Sequence, residues 1–132
     1  MAMFVDTSAI YARIVDTDAR HREALALWAD LAERRETLVT SNYVVLESIS
    51  LLTRRVGLAP VRAFQADMVP VLRVRWVDEA LHGRAMAAFL SAGDRRLSLV
   101  DCVSFEVMRR FGLDTAFAFD ADFTEAGFRC IP

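Results

Sequence analysis

Four acidic residues fall where a fold could gather them around a single metal ion: Asp6, Glu47, Asp101 and Asp120. Carboxylates a few ångströms apart repel one another and raise each other's pKa values unless a cation compensates them. An all-oxygen donor set suits the hard cations Mg²⁺ and Mn²⁺, whereas zinc favours cysteine and histidine. If the four side chains converge, they predict a Mg²⁺ or Mn²⁺ centre that can activate water for attack on a phosphate ester.

Each of these acids also has a purely structural interpretation. Asp6 can cap the helix that follows it, and Asp101 can complete a capping box in the first turn of its own helix. Asp120 and Asp122 can be ordinary turn residues. Glu47 fits this interpretation least well, because its neighbours are mostly apolar and a carboxylate there needs exposure or a partner. Convergence of all four acids, which capping does not require, would favour the metal.

Other chemistries lack their usual residues. His21 and His82 stand apart without metal-ligand spacing, so we expect packing or surface roles for them. The first predicted strand leads into Asp-Thr-Ser-Ala instead of a glycine-rich phosphate loop. A phospho-accepting receiver domain remains a weak alternative, since that family relies on a lysine near the end of the chain and this sequence has none.

Hydrophobic periodicity and capping signals predict the elements that must position the acids. Strands are expected at 3–6, 38–40, 71–77, 115–119 and 129–131, helices at 9–14, 20–35, 42–56, 58–68, 78–91 and 98–111, and a loop at 93–96. Strands that alternate with helices imply an α/β fold in three layers, with a central, mainly parallel sheet of four to five strands. Ligands of such sheets bind beyond the carboxyl ends of the strands, where Asp6 and Asp120 fall.

Bulk composition is consistent with one domain spanning residues 1–132. The chain is 55% hydrophobic, which is enough for a sizeable core, and it contains no apolar run of membrane-spanning length. We expect a cytoplasmic protein whose two cysteines, Cys102 and Cys130, remain thiols. The net charge of −2 lacks the strongly basic signature of many nucleic-acid-binding proteins, but all 16 basic residues are arginine, which is suited to gripping phosphate.

Four sequence blocks resemble the PIN-domain ribonucleases, and in particular the VapC toxins of type II toxin–antitoxin systems. The blocks are FVDTSAIYA at 4–12, TSNYVVLES at 40–48, LSLVDCVSFEVMRRFG at 97–112 and AFAFDADFTEAGF at 116–128. A single Asp-Thr-Ser would be a weak signal. Four blocks in the family's order, each carrying its acid, make a specific one.

The resemblance implies a PIN-like fold and assigns roles to individual residues. Asp6, Glu47, Asp101 and Asp120 match the family's acidic quartet, which binds Mg²⁺ or Mn²⁺ for hydrolysis of RNA phosphodiester bonds. Ser8 and Ser98 match its accessory hydroxyl positions. Asp122 is a possible further ligand or outer partner, because the last block supplies two acids.

The same resemblance implies partners. Family members commonly form homodimers and are held inactive by a cognate VapB-type antitoxin, and transfer RNA and ribosomal RNA are both credible substrates. The competing interpretation is a catalytically silent PIN-like module that keeps the acids but only binds RNA or the antitoxin.

Overall fold

The computed structural model describes residues 1–93 and 96–132, and these form a five-stranded sheet flanked by helices. In chain order, the elements are β1 (Ala2–Val5), α1 (Thr7–Ile14), α2 (His21–Glu33), β2 (Thr37–Ser41), α3 (Asn42–Arg55), α4 (Leu58–Ala63), β3 (Arg73–Arg75), α5 (Glu79–Ala92), α6 (Leu99–Arg110), β4 (Thr115–Phe117), α7 (Asp122–Glu125) and β5 (Arg129–Ile131). The predicted loop at 93–96 includes residues 94 and 95, which lie outside the described residues.

All strand pairs are parallel, in the order β3-β2-β1-β4-β5. The strand β1 is therefore central, with β2 on one side and β4 on the other. Because the strands run in one direction, their carboxyl ends share one edge of the sheet. The predicted α/β class and the parallel sheet are confirmed.

Two aromatic clusters show that helices pack on both faces of this sheet. Phe4 in β1 stacks on Phe123 in α7, with ring centroids 6.2 Å apart, and Phe105 of α6 meets the same ring edge-on. Phe4 is in register with Ala116, so the next residue, Phe117, points to the opposite face. There Phe117 packs on Trp28 of α2 at 5.3 Å. The core is thus divided into two layers, one on each side of the sheet.

Two predicted strands are shorter in the structure because other groups take their backbone hydrogen bonds. The strand predicted at 71–77 spans only Arg73–Arg75, since a π-helical turn and a 3-10 turn carry the preceding helix on to Val71. At its other end, the N–H of Val77 donates to the Asn42 side chain. The strand predicted at 115–119 ends at Phe117, and the N–H of Phe119 donates to the Ser8 hydroxyl instead of extending the ladder.

Two further expectations concern the membrane and the thiols. No helix among the described residues is long and apolar enough to cross a bilayer. Cys102 is buried, Cys130 is half-buried, and both are free thiols, as expected.

Candidate active site

A cleft of about 460 Å³ opens at the carboxyl edge of the sheet, and all four predicted acids line it. These acids are Asp6, Glu47, Asp101 and Asp120. They come from four different regions of the chain that meet only in the tertiary structure. The convergence that would favour a metal over simple capping is therefore present.

Asp6 lies where β1 ends and α1 begins, and its side chain is buried. Its Oδ2 accepts hydrogen bonds from the Ser8 hydroxyl at 2.6 Å and from the Ser8 N–H at 3.1 Å. Burial, reinforced by the charges of Asp120 and Glu47, raises the pKa of Asp6 to about 6, although the two bonds from Ser8 act in the opposite direction. The residue thus caps a helix and also presents a carboxyl group that is difficult to ionise without a cation.

Ser8 joins two strand ends as well. The same hydroxyl that donates to Asp6 accepts a hydrogen bond from the backbone N–H of Phe119 at 3.0 Å. Phe119 immediately precedes Asp120, so this bond fixes the segment after β4 against the segment after β1. Ser8 is therefore placed to set the separation of Asp6 from Asp120.

Asp101 occupies the first turn of α6. The Ser98 hydroxyl caps this helix by accepting the Asp101 N–H at 3.0 Å, and the Ser98 N–H in turn lies against the Asp101 carboxylate. Burial, followed by the charges of Asp6 and Asp120, raises the pKa of Asp101 to about 7. Asp101 therefore takes part in a capping box and also lines the acidic cleft, and the cap orients its carboxylate.

Three carboxylates approach one another most closely. Asp101, Asp120 and Asp122 each offer an oxygen within 4.8 Å of the other two. The Asp122 N–H donates to Asp120 Oδ1 at 2.9 Å, and burial together with the charge of Asp120 raises the pKa of Asp122. The structure therefore brings Asp122 to the centre, although it lines a neighbouring hollow and not the cleft itself.

Glu47 reaches the cleft from the helix that follows β2. It is half-buried, and Leu51 and Arg55, one and two turns later on the same face of α3, also line the cleft. Its charge contributes to the raised pKa of Asp6, which places the two carboxylates near each other. Asp6 and Glu47 stand beside the tight triplet formed by Asp101, Asp120 and Asp122.

Several residues that line the cleft were not assigned to it individually from the sequence. Arg20 and Arg55 are its basic residues among those described, and the buried Thr7 hydroxyl has no hydrogen-bond partner there. The four-residue spacing from Glu47 through Leu51 could have indicated Arg55. No local signal indicates Arg20, because its position depends on the turn before α2 folding back toward β4.

The two histidines lie elsewhere, as expected. His21 Nδ1 is 2.8 Å from the Ala12 carbonyl oxygen, and His82 pairs with the Tyr43 hydroxyl between α5 and α3. The potential metal ligands among the described residues of the cleft are thus carboxylates and hydroxyls. This oxygen-only set fits a hard divalent cation.

Comparisons with known proteins agree with this geometry. Residues 3–129 match the family model of the PIN domain. A protein of Mycobacterium tuberculosis named as the 23S rRNA-specific endonuclease VapC20 is 41% identical over 127 residues, which are 96% of this chain and 95% of the relative.

Solved structures give the same fold. The crystal structure of Mycobacterium tuberculosis VapC20, described as a sarcin-ricin loop cleaving toxin, superposes with a TM-score of 0.84 at 40% identity, covering 96% of this chain and 95% of that one. VapBC2 from Rickettsia felis, solved bound to a DNA fragment from its promoter, gives a TM-score of 0.67 at 13% identity and covers 99% of this chain and 98% of that one. At such low identity, the second likeness concerns the fold alone.

Proposed function

The chain belongs to the PIN domain family, and from that premise we propose that it is a metal-dependent endoribonuclease that acts as the toxin of a type II toxin–antitoxin pair. The observation that carries the proposal is the convergence of Asp6, Glu47, Asp101 and Asp120 on one cleft. Nucleases of this family generally depend on divalent metal, and the acidic cluster supplies suitable ligands.

The metal is Mg²⁺ or Mn²⁺ in this proposal, held by Asp6, Glu47, Asp101 and Asp120, with Asp122 as a further ligand or outer partner. Such a cation, when bound, activates water and stabilises the charge that develops on the phosphate under attack. The protein's own contribution is to hold the carboxylates in place. Ser8 fixes Asp6 through its hydroxyl, and Ser98 fixes Asp101 through the helix cap.

The substrate that we propose is ribosomal RNA. The relative at 41% identity is named as a 23S rRNA-specific endonuclease, and its crystal structure is described as that of a sarcin-ricin loop cleaving toxin. Of the two RNA classes that the sequence left open, this similarity favours the ribosomal one. Sequencing the cleavage ends in total RNA after expression of the chain would locate the cut, and cleavage confined to transfer RNA would contradict the assignment.

The proposed partner is a VapB-type antitoxin, and the proposed setting is a cytoplasmic homodimer built from one domain per chain. Growth arrest on expression, relieved by the product of a neighbouring gene, would support the toxin role. Light scattering on the purified chain would establish the oligomeric state, and a monomer at micromolar concentration would contradict the dimer.

The decisive experiment compares Asp6→Asn and Asp101→Asn with the wild type on a 23S ribosomal RNA fragment. Both variants should lose cleavage and keep the circular dichroism spectrum of the wild type, because asparagine retains the oxygen that each cap needs. Asp67→Asn is the matched control, since Asp67 is exposed and does not line the cleft. EDTA should abolish wild-type cleavage, and Mg²⁺ or Mn²⁺ should restore it.

Two results would contradict the proposal: full activity of both cleft variants, or wild-type activity that EDTA leaves unchanged. The silent binding module is separated by the same assay. Such a module would bind RNA or the antitoxin, but the wild-type chain would not cleave RNA even when Mg²⁺ or Mn²⁺ is added.

A further inference from the structure

Two arginines reach into the acidic cleft, and each is stacked on an aromatic ring. The guanidinium of Arg20 lies 5.2 Å from the ring centre of Phe119, and that of Arg55 lies 5.4 Å from the ring centre of Tyr11. All four residues line the cleft. Stacking fixes the plane of a guanidinium and leaves its edge, which carries the N–H donors, free to meet a phosphate.

Arg55 stands in line with Glu47 on one face of α3. The two are eight residues apart, which is about 12 Å along a helix at 1.5 Å per residue. Arg55 makes no ion pair with any of the described residues, and its nearest polar partner is the Tyr11 hydroxyl at 3.5 Å. Its charge is therefore available to a ligand that lies across the cleft beyond the acids.

Arg20 stands at the other approach to the acids, immediately before α2. Its ring partner, Phe119, directly precedes Asp120, and its Nη1 donates to Glu23 Oε1 at 2.9 Å. Both partners of that ion pair are about half exposed, so the pair is weak and exchangeable. Arg20 also borders a second hollow, which is lined by Ala121 and Thr124 and is distinct from the hollow at Asp122, so Arg20 lies at one end of the cleft.

The sheet order places these two arginines on different sides of the centre. Arg20 packs on the segment that follows β4, while Arg55 lies on the helix that follows β2, and β4 and β2 flank the central strand β1. Asp6 is at the end of β1. A chain crossing the cleft above Asp6 would meet one arginine before the acids and the other after them.

We infer that Arg20 and Arg55 bind the RNA backbone on either side of the phosphodiester that is cut. The aromatic ring holds each guanidinium in place, and the N–H edge of the guanidinium binds a flanking phosphate. This inference rests on the proposed function. Among the described residues, the cleft is lined by five carboxylates and two arginines, the carboxylates being those of Asp6, Asp18, Glu47, Asp101 and Asp120. The carboxylates repel RNA except close to a bound cation or an arginine. A bound metal would offset the repulsion between the carboxylates and the phosphate that is cut. The two arginines would offset the same repulsion for the neighbouring phosphates, which lie farther from the metal.

The test measures RNA binding separately from RNA cleavage. In an Asp101→Asn background, the affinity for a fluorescent hairpin carrying the sarcin-ricin loop sequence is measured by anisotropy at several salt concentrations. Arg20→Ala and Arg55→Ala should each weaken binding about tenfold, as expected for loss of a charged hydrogen bond. Each should also lower the slope of log affinity against log salt by about 0.7, the value for one phosphate contact on a single strand.

Matched controls lie close by in the chain. Arg22→Ala, two residues after Arg20, and Arg54→Ala, next to Arg55, remove the same charge from exposed arginines outside the cleft and should leave affinity and slope nearly unchanged. The double variant of Arg20 and Arg55 should lose affinity about a hundredfold, because two separate phosphates are released. All variants should keep the melting temperature of their parent.

Several outcomes would overturn this inference. Equal losses in the control and cleft variants would mean that only overall charge matters. Normal RNA binding by Arg20→Ala and Arg55→Ala, combined with weakened antitoxin binding, would assign both residues to the antitoxin. Undetectable RNA binding by the Asp101→Asn parent would also contradict this inference. If the wild type cleaves the RNA and the two arginine variants bind and cleave it equally well, the proposed function stands and only this inference is wrong.

Discussion

At the scale of single residues, two acids of the cleft combine a structural role with a proposed catalytic one. Asp6 and Asp101 both stand at the start of a helix and take part in its cap, where the aligned backbone dipoles favour a negative charge. Burial outweighs that preference, since the pKa of each is raised, to about 6 and about 7. The structural role and the proposed catalytic role are therefore compatible, because the caps hold the two carboxylates in place.

Ser8→Ala should damage both stability and metal binding. It removes the donor to Asp6 and leaves the Phe119 N–H without its acceptor, so we expect a loss of about 1–3 kcal/mol in the free energy of unfolding. Loss of such an orienting hydrogen bond typically lowers metal affinity 10- to 100-fold. Denaturant titration and Mn²⁺ calorimetry would measure the two effects.

A serine outside the site provides the control for that variant. Ser50→Ala removes an exposed hydroxyl from α3 and should change neither quantity. Because the Ser8 bonds lower the pKa of Asp6, Ser8→Ala should also shift the pH dependence of Mn²⁺ affinity toward higher pH. An unshifted profile with ordinary affinity would show that Ser8 is only structural.

The roles of Asp120 and Asp122 can be separated by substitution. Asp120 lines the cleft with Asp6, whereas Asp122 lines a neighbouring hollow, although each offers an oxygen within 4.8 Å of one on Asp101. Asp120→Asn should therefore abolish Mn²⁺ binding and cleavage, and Asp122→Asn should reduce Mn²⁺ affinity by roughly tenfold, as an outer partner would. If Asp122→Asn is as severe as Asp120→Asn in calorimetry, Asp122 is a direct ligand.

At the scale of elements, single hydrogen bonds at the ends of helices and strands position the acids. The first turn of α6 is held by the Ser98 cap, and this turn carries Asp101. Similarly, β4 ends early because Ser8 captures the Phe119 N–H, which frees the segment before Asp120 to turn toward the cleft. The shortened strand is therefore part of the site's construction.

Ser98→Ala tests the capping device. Loss of a serine cap costs about 1 kcal/mol of stability, and it should also lower cleavage by loosening Asp101. Ser98→Thr keeps the hydroxyl and should recover most of both losses. Thermal unfolding and cleavage rates would be compared, and an Ser98→Ala variant that is destabilised but fully active would show that the cap does not position Asp101.

At the scale of the whole molecule, the gathered carboxylates oppose folding when metal is absent. A raised pKa means that the folded state holds its proton more tightly than the unfolded state, so this contribution to stability is complete below the unfolded value of 3.8 and is lost as pH rises through about 6 for Asp6 and about 7 for Asp101. The pKa of Asp78 is shifted the other way, downward from 3.8, so its effect lies below this window.

We therefore predict that, in EDTA, the melting temperature falls between about pH 4 and pH 7. For Asp6, a rise from 3.8 to about 6 corresponds to at most about 3 kcal/mol at 1.36 kcal/mol per pKa unit. Asp6→Asn should flatten the decline and raise the melting temperature at pH 8, while Asp67→Asn should not. Saturating Mn²⁺ should also flatten it, and a melting temperature that rises across this range in EDTA would contradict the assignment.

The sequence determined much of this protein by itself. Hydrophobic periodicity and capping residues depend on neighbours within about four positions, and they correctly indicated the parallel α/β sheet and most helix limits. Strand-end placement selected Asp6 and Asp120, and the four ordered blocks identified the family. The short helix Asp122–Glu125 was missed, because a single turn has almost no periodicity.

Only the tertiary structure decided how these pieces meet. The sheet order puts β1 between β2 and β4, the Ser8 hydroxyl reaches Phe119 across 111 residues of sequence, and Arg20 settles on the ring beside Asp120. None of these contacts has a local signal, because each depends on which strands become neighbours. The sequence could therefore nominate the acids, but the spacing of the carboxylates and the arginines that flank them follow from the packing of distant segments.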